Sequence, residues 1–285
     1  MSEQDDFILE PQDVVAVRSL LLHYLPAELA NIIIDEARYW PNLVYTFAPA
    51  NEVHVKANDS ADYIGVKCCA LSEPLPSEKE YDVAMKIVEV RFLIEAHDQG
   101  WCNPGEYTGP YDGSSTWFEA VIVRKLQLDA DVNEEEQARL IVEALERRRH
   151  REPNGQDTTG ETIHQTVQLR VPKPWLFGFI QGTLPAPCNL ITVKNLHDGS
   201  DVWAIQTNPR AEFNMSQHEV VWTRNDAILT AEDDEQRYRL TGRKSERGFI
   251  GALQPGDRVA VLARAQYPQW TNFVKTVKMQ IYFAM

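Results

Sequence analysis

The spacing of apolar residues changes along the chain and divides it into zones of different secondary structure. In the first, Val14, Val15, Val17, Leu20, Leu21 and Tyr24 recur at near-helical spacing behind Pro11, a residue suited to the first helical turn. Pro26 restarts the chain. Leu29, Ile32, Ile33 and Trp40 then mark a second amphipathic helix that Pro41 stops. This predicts a helical hairpin over about 12–39. From about 43 to 128 the pattern alternates as strands do, in VYTFA, YIGVKCCAL, IVEVRFLIEA and TWFEAVIVRKL, with turn formers such as Asn58-Asp59-Ser60 and Gly113-Ser114-Ser115 between them. NEEEQARLIVEALERRRHR, 133–151, reads as a short helix with acids at its start and bases at its end, as the helix dipole favours. A polar loop, EPNGQDTTGET, follows it. From about 163 to 285 the chain reads as strands again (TVQLRV, NLITVKN, VWAIQTN, HEVVWT, RVAVLARA, VKMQIYF), with almost no helical signal.

Many short strands divided by Gly, Pro and Asn turns predict a mainly β protein. The expected architecture is two β-sandwich units of jelly-roll or galactose-binding-like type, preceded by the helical hairpin and joined by one linker helix. The boundaries are 1–42 for the hairpin, 43–130 for the first sandwich, 131–162 for the helix and linker, and 163–285 for the second sandwich. An internal echo supports duplication. VEVRFLIEAHDQGW followed by STWFEAVIVRKL matches GDRVAVLARAQYPQW followed by TNFVKTVKMQIYF in outline: a strand ending in Ala, a polar turn closing on Trp, then a further strand. Trp101 and Trp270 occupy the same place in the two copies.

Composition narrows the function classes. With 44% hydrophobic and 25% charged residues in 285, the chain has ordinary globular values and enough length for more than one core. Its 28 basic against 42 acidic residues give a net charge of -14, which repels phosphate backbones and anionic lipid and disfavours nucleic acid as a partner. The four cysteines, Cys68, Cys69, Cys102 and Cys188, show no CxxC spacing and no zinc pattern, so neither metal nor cofactor is expected. They read as free, buried thiols, with Cys68 and Cys69 on opposite faces of one strand. No apolar run approaches the ~20 residues of a membrane span, and the acidic N-terminus resembles no targeting peptide. The expectation is a cytoplasmic or nuclear protein that does not bind membranes.

The candidate chemistry lies in turns. His97-Asp98-Gln99-Gly100-Trp101 places an imidazole, a carboxylate, an amide and an indole within five residues. That mixture suits a polar ligand with a flat apolar face, such as a sugar, with Tyr107 and Trp117 extending the platform. The plainer account makes Trp101 a plug at the sandwich end and His97 a turn cap. In the second half Asn208, Arg210, His218, Tyr267 and Trp270 form a parallel set, which a plain turn and core packing also explain. Catalysis finds no support: there is no GxSxG, no nucleotide-binding glycine pattern, and no carboxylate pair set apart from the many acids. The basic run Arg147-Arg148-Arg149-His150-Arg151 reads as a nuclear-import or anion-binding patch, or as a charged helix end.

LPAELANIIIDEARYW, residues 25–40, resembles the opening helix of an F-box, the module that docks substrate adaptors onto cullin-type ubiquitin ligases. The resemblance implies partner docking through Leu25, Pro26, Leu29 and Ile33. Residues 90–123 are similar to the closing strands of the F-box-associated domain, a galactose-binding-like sandwich that in some members reads N-glycan cores. Trp101 matches the tryptophan of the sugar-reading turn, while Gly100 and Cys102 replace its neighbours. WAIQTN, QHEVVW and LQPGDRVAVLARAQYPQW also resemble uncharacterised proteins of filamentous fungi, a likeness that implies no activity. The function expected is a non-enzymatic recognition protein whose sandwich-end loops bind a carbohydrate, glycoprotein or peptide. The alternative is an adaptor that docks a protein partner through the N-terminal helices.

Overall fold

The computed structural model describes residues 8–77, 85–103, 105–125, 134–147, 166–168, 190–224, 230–245 and 248–284. Eleven strands are described, in two antiparallel sheets. The first sheet contains β1 (Asn42–Phe47), β2 (Val53–Lys56), β4 (Lys86–His97), β9 (Ser216–Thr223) and β11 (Thr271–Ala284), in the order β1-β11-β4-β9 with β2 also on β11. The second contains β3 (Ile64–Leu71), β5 (Thr116–Lys125), β6 (Thr166–Gln168), β7 (Leu190–Val193), β8 (Trp203–Thr207) and β10 (Arg258–Gln266), in the order β3-β10-β5-β7-β6 with β8 also on β5.

Each strand follows the side-chain alternation of a pleated sheet. Along β4, Val90, Phe92, Ile94 and Ala96 turn inward, and Arg91, Leu93, Glu95 and His97 lie between them on the other face. The inward residues meet Phe118, Ala120 and Ile122 of β5, Val259 and Val261 of β10, and Met279 and Ile281 of β11 in one core between the sheets. Trp222 and Phe92 pack edge to face at 4.8 Å, and Trp203 does the same with Phe249 at 5.2 Å. Such aromatic pairs add about 1 kcal/mol each to area burial alone.

Strands from both halves share both sheets, so the two sandwiches expected from the sequence are one. The repeated segments are where the halves interlock. β4 leads from the first sheet into β5 of the second, and β10 leads from the second into β11 of the first; β4 pairs with β11, and β5 with β10. Strand pairing is decided by which apolar faces must be buried together, and here those faces belong to two sheets that each draw strands from both halves.

The helix read as part of a linker, α3 (Glu134–Glu146), packs on the outer face of the second sheet. Its Ile141, Ala144 and Leu145 cover Cys68, Val121, Val123, Ala260 and Leu262. Cys69 faces the inner core, so the adjacent thiols do lie on opposite faces of β3. Burial pushes the Cys69 thiol up to about 12 and Cys68 higher still, which leaves both as inert apolar groups. Cys188, His150 and Arg148, Arg149 and Arg151 of the basic run lie outside the described residues.

Two helices interrupt the zone read as strands alone: α4 (Ala231–Thr241) and the single turn α5 (Phe249–Ala252). Thr230 caps α4 by accepting from the Asp233 amide at 3.1 Å, and Gly242 ends it in the left-handed conformation. At the N-terminus, α1 (Pro11–Leu22) and α2 (Ala27–Glu36) form the hairpin and bury Leu9, Val14 and Ile34 in a small core of their own. The hairpin is tied to the sandwich where Leu9 and Asn42 exchange hydrogen bonds. No described helix is long and apolar enough to cross a membrane.

Candidate functional site

Four connections meet at one end of the sandwich: β2–β3, β4–β5, β8–β9 and β10–β11. The candidate residues expected on two separate units therefore converge there. Asp98 is fully buried and joins two of these loops. Its carboxylate accepts from the amides of Gly100 at 2.7 Å, Ala211 at 2.7 Å and Glu212 at 3.0 Å. Burial pushes the Asp98 carboxyl above its ordinary range, and the three amide hydrogen bonds pull in the opposite direction. Gln99 joins a third loop: its Oε1 accepts from the Thr271 amide at 3.2 Å, and its Nε2 donates to the Trp101 carbonyl at 2.6 Å.

Beneath them lies a buried polar network. Asn208 Nδ2 donates to Thr116 Oγ1 at 3.0 Å and to Asn272 Oδ1 at 2.9 Å. Asn272 Nδ2 donates in turn to the carbonyls of Trp117 and Arg264. The Arg264 guanidinium lies 2.5 Å from Glu119, both side chains being almost wholly buried, and Trp117 Nε1 donates to the other carboxylate oxygen of Glu119 at 3.1 Å.

Arg210 fastens the long β4–β5 connection. Its guanidinium sits 3.7 Å from the centre of the Tyr107 ring and donates to the carbonyls of Gly109 and Asp112. Tyr107 donates its hydroxyl to the Asn103 carbonyl at 2.7 Å. His97 stacks on Phe273 at 4.6 Å, and its Nδ1 donates to the Asp98 carbonyl at 2.6 Å.

Most of the predicted polar readers are thus consumed inside the fold. Asp98, Gln99, Asn208 and His218 are buried, and Arg210 and Tyr107 hold each other. Trp270, expected at the surface, is only 8% exposed and packs against Ala57, Ala265 and Cys102. A four-residue turn between the sheets directs its indole inward, while the longer β4–β5 connection leaves Trp101 41% exposed. Tyr267 is exposed as well.

Two exposed rings at this end were not singled out from the sequence, Tyr63 and Phe213. The Tyr63 carbonyl accepts from the Tyr267 amide at 3.0 Å, which places those two residues side by side. Phe213 lies flat against Gly100, where a β-carbon would fall 2.2 Å from its ring. Gly100 also has φ +78, so glycine is required there on both counts. Tyr63, Ala211, Tyr267 and Gln269, at the same end, hold positive φ without being glycine. Such backbone costs about 1–3 kcal/mol per residue and persists only where the surroundings enforce it.

The hairpin residues Leu29, Ile33 and Pro26 are exposed, and Leu25 is half-buried. Comparison with known proteins finds no matching family model, no matching curated protein and no matching solved structure.

Proposed function

We propose that the chain is a non-enzymatic recognition protein whose loop end binds a polar ligand with flat apolar faces, a carbohydrate or the glycan or peptide portion of a glycoprotein. The observation that carries this reading is the set of exposed rings, Trp101, Phe213 and Tyr267 on loops that Asp98 and Gln99 bind together, with Tyr63 joined to Tyr267 by a backbone hydrogen bond. Rigid aromatics on a pre-ordered backbone bind at little cost in conformational entropy. The rings cover C–H surface, and the exposed acids of the same loops, Asp59 and Glu106, offer acceptors to hydroxyl groups. The likeness of residues 90–123 to the F-box-associated, galactose-binding-like domain points the same way, with Trp101 in the reading turn. The buried polar residues then act as supports, and the contact set shifts from His97, Asp98 and Asn208 to the four rings.

The test is a titration of intrinsic tryptophan fluorescence with a panel of glycans and glycopeptides, on the wild type and on Trp101→Ala. A saturable change in the wild type that is weakened tenfold or more in the variant supports the proposal. If no member of the panel perturbs emission, the reading of a sugar-bearing ligand is wrong.

A second reading has its own observation. The hairpin turns Leu20, Leu22, Tyr24, Leu29, Ile32 and Ile33 to solvent, with Tyr24 83% exposed. That much apolar surface on two short helices suits a protein partner, and the resemblance to an F-box helix would make the partner part of a ubiquitin ligase.

A further inference from the structure

Beside the edge strands β8 and β9, near the loop end but apart from the exposed rings, His218, Gln206, Tyr111 and Arg243 form a polar cluster. His218 reaches it from β9. It is on the inward side of the strand, in line with Val220 and Trp222, and only 7% exposed. Its Nε2 has no hydrogen-bond partner among the described residues. A buried imidazole nitrogen left unpaired is destabilising, so its retention calls for an occupant.

Close contacts hold the cluster together. Gly242, in the left-handed conformation at the end of α4, lies so near Gln206, Thr207 and Tyr111 that a β-carbon would approach each of them within 2.8 Å. Gln206 spends its amide nitrogen on the carbonyls of Thr207 and Thr241, and its Oε1 accepts from Arg243 Nε at 3.2 Å. That bond orients the guanidinium. Its two terminal amino groups make no hydrogen bond and no ion pair with a described residue. Tyr111 joins the cluster from the β4–β5 connection, its ring 6.4 Å from that of His218. Burial and the Arg243 charge push His218 down to about 4, so at neutral pH it is an uncharged donor or acceptor. The other charges bearing on Arg243 are Arg237, of the same sign, and Glu219, which is already paired with Arg91 at 3.4 Å.

We infer that this cluster is a binding site for a carboxylate, with the terminal amino groups of Arg243 as its counter-ion and His218 Nε2 and the Tyr111 hydroxyl as its uncharged hydrogen-bond partners. The planar fork matches a carboxylate through two parallel N–H···O bonds. A single charge is favoured over a phosphate dianion, because the Glu219 carboxylate already bears on Arg243 and the chain as a whole carries -14. The inference does not depend on the aromatic loop reading, since none of its three residues is an exposed ring of that surface.

The test follows the His218 ring resonances of the full chain by nitrogen–proton correlation NMR at neutral pH, during titration with acetate and, separately, with inorganic phosphate. Chloride at matched ionic strength serves as the control. Saturable shifts with acetate, weakened at least ~10-fold in Arg243→Gln, support the site. Tyr111→Phe is expected to weaken acetate by a smaller factor and tests the site without touching the charge, should Arg243→Gln fail to fold. Trp101→Ala should leave the acetate titration unchanged. The inference is overturned if acetate shifts His218 no more than chloride does, if both site variants bind acetate as the wild type does, or if phosphate binds more tightly than acetate.

Discussion

Two regions carry apolar side chains into water, the loop end of the sandwich and the N-terminal hairpin, and they are supported in opposite ways. At the loop end the loops that carry the exposed rings are held together by buried polar groups and backbone hydrogen bonds. Asp98 holds three amides, Gln99 reaches across to β11, and the Asn208–Asn272 pair connects four strands beneath. The hairpin rests on Leu9, Val14 and Ile34, with Leu21 and Tyr39 packed beside them. The difference teaches that exposed apolar area alone does not identify a binding surface. Where the backbone beneath is locked, binding costs little ordering; where it is thinly held, a partner must also supply stability.

Three perturbations would break or sharpen this contrast. The largest effect is expected from Arg264→Met, which strands the buried Glu119 carboxylate under the loop end. Breaking a buried pair of this kind costs about 3–5 kcal/mol, read as a lower urea midpoint at unchanged slope. Adding Glu119→Leu should restore much of the loss; if it does not, the pair does more than neutralise itself. Asp98→Ala comes next. It leaves three amides without their acceptor and should cost about 3 kcal/mol, and amide hydrogen exchange should quicken at Gly100, Ala211 and Glu212 before it does in β4. Equal quickening throughout would mean that the loop end is not a separately held unit. The smallest effect belongs to Leu29→Ser combined with Ile33→Ser. Both side chains are exposed, so stability should change by no more than about 0.5 kcal/mol per site. A loss of several kcal/mol by urea titration would show that these residues are core and would remove the docking reading.

Several features were legible in the residues because local chemistry decides them. β4 shows its period in VEVRFLIEAH, the Cys68–Cys69 step declares opposite faces, and Pro11, Pro26 and Pro41 bracket the two N-terminal helices. α4 was missed although its signals are present: Thr230 and Asp233 at the start, Gly242 at the end. It is almost wholly polar, so it has no apolar stripe for a periodicity argument to detect. Trp101, Tyr107, Tyr267 and Trp270 lie in connections, and His97, Trp117 and His218 in strands, but the exposure of each was not legible. Trp101 and Trp270 close similar polar turns and differ only in how the chain crosses between the sheets.

By itself, then, the sequence determined that the protein is mainly β, where most strands lie, and which turns hold aromatic and polar residues together, because side-chain period and turn preference act over a few residues. Only the tertiary structure decided that the two halves form one sandwich, that its loops meet at one end, and that Asp98 and Asn208 are buried and hydrogen-bonded within the fold. Those outcomes depend on the pairing of β4 with β11 and of β5 with β10, between residues more than a hundred positions apart. Such pairing is selected by the burial of whole faces against one another, a property that no short stretch of the chain contains.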